Sequence, residues 1–224
     1  PLAYWLPPTV HVARQAFAEA ERELDAGIAQ LGDAAAWRGR FNAVALQWLS
    51  GLLHLARGHD AEAMAAFERE LAGESSGHLY ARECCANTWY AIGVLRLRQN
   101  RLADAREAFS AALNRVRSHP MARIALDAAS RASGELPPPG THAQESVASH
   151  ALHEAGSVDA AMARAAGLVL SGSHSEAARL VDTALATAEG SSAGWILPLE
   201  PLLDVRRDPA AWAAPLARLR ARAA

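Results

Sequence analysis

YAIGVLRLRQNRLADAREAFSAAL, residues 90–113, decides the fold once it is laid over WLSGLLHLARGHDAEAMAAFEREL, residues 48–71. Gly93 falls on Gly51, Ala105 on Ala63 and Phe109 on Phe67, each pair 42 residues apart. A third copy, AAGLVLSGSHSEAARLVDTAL (165–185), places Ala165 on the glycines, Ala177 on the alanines, Val181 on the phenylalanines and Ala184 on Ala112, at an offset of 72 from the second copy. Each copy carries the apolar period of two amphipathic helices separated by a short Gly- or Asn-containing turn. A glycine or alanine in the first helix lets the second approach closely, and a small residue early in the second lies opposite. The aromatic residue one turn later fills the gap between pairs. One such pair cannot cover its own apolar faces, so pairs must stack.

Working outward, the periodicity predicts an all-α chain of about ten helices with no alternating strand of useful length. The first helix is expected from Thr9, as N-cap, to Gln30, and the second from after Asp33 to Arg57, where Gly58 breaks the chain. Helices over about 60–72, 79–99 and 102–117 follow, then one opening at Pro120, where a missing N–H costs nothing. GELPPPG (134–140) is the strongest breaker. Beyond it come helices over about 142–155, 157–171 and 174–188, the turn-like EGSSAG, the proline-punctuated ILPLEPLLD, and a last helix over 209–222. The organisation expected is a flanking helix and repeats over 1–133, a proline-rich loop over 134–141, and degenerate and C-terminal repeats with a capping helix over 142–224, in one continuous array.

Composition supports helix and excludes several function classes. Just over half the residues are hydrophobic and alanine, the best helix former, dominates them. The formal charge is −2, which supplies no broad positive field for nucleic acid or anionic lipid. The basic residues are all arginine, alternating with acids on helix faces as solvated surface does. Cys84 and Cys85 are adjacent and cannot staple distant segments, which points to a reducing, cytoplasmic setting. No apolar run approaches the roughly 20 residues that span a bilayer, and PLAYWLPPTV lacks the basic and continuous apolar parts of a signal peptide.

The best copy, with Trp89, Ile92, Gly93, Ala105 and Phe109, resembles the tetratricopeptide-repeat family, whose pattern is W-x2-L-G-x2-Y, then A-x3-F, then P. It departs at Arg96, where the pattern has Tyr, and its proline comes late, at Pro120. The copy around Gly51 keeps Ala63 and Phe67 but has Gln47, Ser50 and His54 at the Trp, Leu and Tyr places. The resemblance covers about half the chain. It implies a right-handed α-α superhelix of antiparallel helix pairs whose first helices line a concave groove. Carried onto this sequence, the groove residues are Trp48, Leu52 and Leu55, then Tyr90, Val94 and Leu97, then Met162 and Val169, with Asn87 and Arg98 at the rim. The stretch 195–219 loosely resembles the tail that follows such repeats in some bacterial regulators and cyclases. Its Leu197, Leu199, Leu202, Leu203, Trp212 and Leu216 suit a cap on the last repeat.

The expected groove is apolar and, without lysine, unsuited to clamping a carboxylate. It is open to an amphipathic helix or apolar peptide anchored by Trp48 and Tyr90, or already covered by the chain's own first or last helix. The function expected is a non-catalytic scaffold for a protein or peptide partner, with no nucleic acid, membrane or cofactor. The alternatives are a regulatory or sensory lobe of a larger bacterial signalling or transcription protein and, behind it, an enzyme whose site no local motif declares. Signals for chemistry are weak. Gly190–Gly194 matches G-x-S-x-G around Ser192, but a helix precedes it where a nucleophile elbow needs a strand. His142, His150, His153 and Glu154 have no second ligand pair to complete a metal site. The adjacent cysteines have no nearby base, which favours inert packing.

Overall fold

The computed structural model describes residues 5–31, 45–76, 80–135, 157–188 and 193–224, and among them the chain is all helix, without a strand. Ten α-helices are present there: α1 (Leu6–Ala13), α2 (Phe17–Leu31), α3 (Leu46–Arg57), α4 (Asp60–Ala72), α5 (Ala81–Arg98), α6 (Leu102–Arg115), α7 (Pro120–Ala132), α8 (Val158–Leu170), α9 (His174–Thr187) and α10 (Pro209–Arg222). The segment expected as a helix over 142–155, most of the GELPPPG loop and the start of the second expected helix lie outside the described residues. Contacts nonetheless run across the loop, because α7 packs on α8.

The three copies fold alike to the level of single hydrogen bonds. α3, α5 and α8 pack on α4, α6 and α9. The turns between them place Gly58, Asn100 and Gly172, which are equivalent in the alignment, at φ of +78°, +57° and +85°. After each, one amide reaches back to close the helix end: His59 N–H to the His54 carbonyl at 3.0 Å, Arg101 to Arg96 at 2.9 Å, Ser173 to Leu168 at 2.8 Å. Glycine and asparagine tolerate the left-handed conformation this cap requires.

The small-residue position is a steric requirement. A Cβ on Gly51 would sit 2.5 Å from Phe67 Cδ1, and one on Gly93 would sit 2.5 Å from Phe109 Cδ1. Both rings are completely buried. In the third copy Ala165 and Val181, also completely buried, stand at the same two positions, so the larger small residue accompanies the smaller filler. Gly93→Ala is therefore expected to cost about 1–3 kcal/mol by overpacking. Gly93→Ala with Phe109→Val should cost less than the two single changes added, as measured by urea unfolding.

Two helix starts differ from the sequence expectation for tertiary reasons. The long N-terminal helix is split, α1 ending at Ala13 and α2 starting at Phe17, with Gln15 at φ +60° between them. An unbroken helix would forgo contacts with the far end of the chain. At the break, Arg14 Nε donates to the Ala223 carbonyl at 2.6 Å, and the Gln15 amide donates to the Leu216 carbonyl at 3.1 Å and accepts from Arg220 at 2.9 Å. These bonds offset the roughly 1–2 kcal/mol of a left-handed residue. Thr9 is inside α1 and is not its N-cap; its hydroxyl donates to the Leu6 carbonyl. α3 is likewise capped from a distance. Glu70 of α4 is buried, and its carboxylate accepts from the amides of Ala45, itself at φ +71°, and Trp48. Burial pushes this carboxyl up, against the pull of those amides.

Candidate functional site

The apolar residues expected at the groove fall in two packed clusters. Leu52, Leu55, Tyr90, Val94 and Met162 are buried and Trp48, Asn87, Leu97 and Val169 half-buried, while Arg98 stands at the rim. What buries them is the chain itself. Residues 195–205, between α9 and α10, run as turns and one short 3-10 stretch, Leu197–Leu199, which packs on α1 and α3, while Tyr90 and Arg98 of α5 bond to Glu200 and Pro201. Leu199 joins a core with Leu52, Leu55 and Leu95, whereas Leu197, Leu202, Leu203 and Val205 join the core holding Tyr90, Val94 and Met162. Trp195 and Ile196 touch both. The strap thus welds the two halves of the core together.

Both the N-terminal helices and the proline-punctuated strap pack on these residues: Val12, Ala20 and Leu24 share the cluster of Leu52 and Leu55, while Leu197, Leu202 and Leu203 join the last repeat and Tyr90. Prolines suit the strap because Pro198 and Pro201 have no N–H to leave unpaired in an apolar setting. Trp212 of α10 does cover α9, completely buried. The N-terminal end contributes Trp5, stacked on Trp48 with centroids 6.2 Å apart and edge-on to Trp195 at 5.8 Å.

A polar lock fixes the strap's register. Glu200, 8% exposed, accepts through Oε1 from the Tyr90 hydroxyl and from the Leu202 amide at 3.2 Å. Burial pushes both the Glu200 carboxyl and the Tyr90 hydroxyl up, and the neighbouring Glu200 adds to the effect on Tyr90. Arg98 donates to the Pro201 carbonyl at 2.5 Å and lies 3.5 Å from Asp204. A cavity of about 20 Å³, room for one water, lies beside these groups under the strap. Asn87 serves structure as well. Its Oδ1 is 3.0 Å from His119 Nε2, while His119 Nδ1 accepts from the Ala122 amide at 3.2 Å as the N-cap of α7. Nδ1 must therefore be bare and Nε2 carry the proton. Glu200 and His119 were missed as site residues; an acid held between two prolines in an otherwise apolar run was the available signal for the first.

The remaining chemical signals resolve into structure or fall elsewhere. Burial pushes the Cys84 thiol up to about 12 and Cys85 to about 11, so at pH 8 the native protein should leave a disulfide thiol reagent unreacted and both thiols should appear only on denaturation. Ser192, His142, His150, His153 and Glu154 lie outside the described residues. Gly194, at the end of the G-x-S-x-G match, has φ +79° and is pressed against Val158, where a Cβ would sit 2.7 Å from the valine methyl. Among the described residues no group of three or more His, Cys, Asp or Glu could hold a metal ion, and no helix is long and apolar enough to cross a membrane. Comparisons with protein-family models, with curated proteins and with solved structures found no match.

Proposed function

We propose that this chain is a non-catalytic scaffold similar to tetratricopeptide-repeat proteins, whose apolar groove is a peptide-recognition groove that binds its own strap, leaving protein partners to meet the outer surface. The observation that carries this reading is the strap's depth. Leu197, Leu199, Leu202, Leu203 and Val205 are all at most 5% exposed. At about 1.5–3 kcal/mol for each buried side chain, their burial is worth roughly 10 kcal/mol, the size of a whole domain's stability. A peptide of micromolar affinity brings about 8 kcal/mol and cannot displace the strap without matching it nearly contact for contact. The titratable groups near the groove support the non-catalytic part. Tyr90, Glu200 and His119 are each taken up in structural hydrogen bonds. A closed lobe of this kind also suits a regulatory part of a larger signalling or transcription protein.

The test is partner capture from the native cell with wild-type and Trp48→Ala protein, beside titration of both with a fluorescent peptide of residues 193–206. The same partner on both proteins and no peptide binding are expected. Loss of the partner with Trp48→Ala, or saturable peptide binding to the intact protein, would return the groove to an open binding site.

A further inference from the structure

Several arginines of this fold pair with an acid on a neighbouring segment. Arg57 of α3 meets Glu21 of α2 at 2.6 Å, Arg218 of α10 grips Asp182 of α9 at 2.8 and 3.2 Å, and Arg115 holds Glu74 through two bonds of 2.6 Å. At the junction of α6 and α7, Arg117 and Arg123 have no such partner among the described residues. A cleft of about 330 Å³ opens there, lined by Ser110, Leu113, Asn114, Arg117, Arg123 and Leu126. Its lining includes both Arg117 and Arg123 and no carboxylate.

Three features make this more than a pair of surface charges. The cations that serve the C-terminal end of α6 are others, since Arg115 donates to the Ala111 carbonyl and Arg82 to the Arg115 carbonyl. Arg117 and Arg123 instead flank the N-terminus of α7, the positive end of that helix, where a cation is disfavoured and an anion favoured. The closest acid in sequence, Asp127, is one turn from both Arg123 and Arg131, so it faces two guanidiniums and does not line the cleft. Leu113 and Leu126 give the cleft apolar lining beside its forked donors.

We infer that the α6–α7 cleft is a binding site for a small phosphate monoester with an apolar body, the dianion bridging Arg117 and Arg123 with Ser110 and Asn114 beside it and the body resting on Leu113 and Leu126. This inference is independent of whether the groove is open or closed.

Phenyl phosphate, inorganic phosphate and benzoate are titrated into the intact protein by calorimetry at pH 7.5 and fixed ionic strength, with sodium chloride as the salt control. Saturable binding of phenyl phosphate is expected, several-fold tighter than inorganic phosphate because of the apolar lining. Arg117→Gln and Arg123→Gln should each weaken it about tenfold, in keeping with the loss of a charge-assisted fork. Arg179→Gln, which removes an exposed arginine on α9, should leave it unchanged. Equal binding in the Arg117→Gln/Arg123→Gln protein, or equal weakening by Arg179→Gln, overturns the site. Benzoate binding as tightly as phenyl phosphate overturns the assignment to a phosphate dianion, and heat that sodium chloride reproduces shows general screening only.

Discussion

Leu203→Ala is expected to lower the unfolding free energy by about 2–5 kcal/mol, the range for removing a fully buried leucine whose site cannot collapse. Leu203 has no exposed surface and lies in the core shared by α5, α8, α9 and α10. If the strap were a loosely held lid, truncating it would open the groove at little cost and leave the helices intact. A welded strap gives the opposite result, a single cooperative transition shifted to lower urea with helicity and tertiary signal lost together. The measurement is urea unfolding followed by both circular dichroism and tryptophan fluorescence. Two separated transitions, or a shift under about 0.5 kcal/mol, would show that the strap contributes little and that the groove can open. Hydrogen exchange offers a check on the unmodified protein. The Leu202 amide, bonded to Glu200, should exchange as slowly as the amides at the centre of α5.

Acid should destabilise the protein through His119. Burial holds this imidazole down at about 4, against an ordinary value of 6.5, and its Nδ1 is needed as the acceptor that caps α7. The unfolded chain therefore binds a proton that the folded chain refuses. Its contribution to stability is present in full above about pH 6.5 and is lost as pH falls toward 4, amounting to about 3 kcal/mol from the size of the depression. Glu70 and Glu200 act in the other sense. Their folded carboxyls are pushed up by burial, so their contribution grows on acidification and fades as pH rises through the folded value. The His119 component is isolated by His119→Asn, which keeps a capping acceptor but does not titrate. The stability difference between wild type and His119→Asn should shift by about 3 kcal/mol in the variant's favour between pH 7 and pH 4. A difference that is flat with pH would mean that His119 is solvated or already charged in the fold.

The repeat was legible in the sequence because its requirements are local and strict. Gly51 and Gly93 have no room for a Cβ, Phe67 and Phe109 fill the space so left, and Gly58, Asn100 and Gly172 close their helices with a left-handed residue. Each is a choice among very few residue types, so it leaves a mark at fixed spacing. Leu52, Leu55, Tyr90 and Val94, at set places on the first helices of their pairs, are buried as their spacing requires.

The place of the strap belonged to the tertiary structure. ILPLEPLLD declares an apolar, non-helical segment, but its burial depends on Tyr90, more than a hundred residues away, offering a hydroxyl to Glu200. The break between α1 and α2 was hidden likewise, because the left-handed turn at Gln15, besides its local backbone bonds, is held by side-chain partners on α10. Periodicity and capping chemistry are properties of a few consecutive residues, so the sequence alone determined the helices and their pairing. Which apolar face is covered, and by what, is settled only when distant segments compete for it, and here the tertiary structure laid the strap against Leu52 and Tyr90.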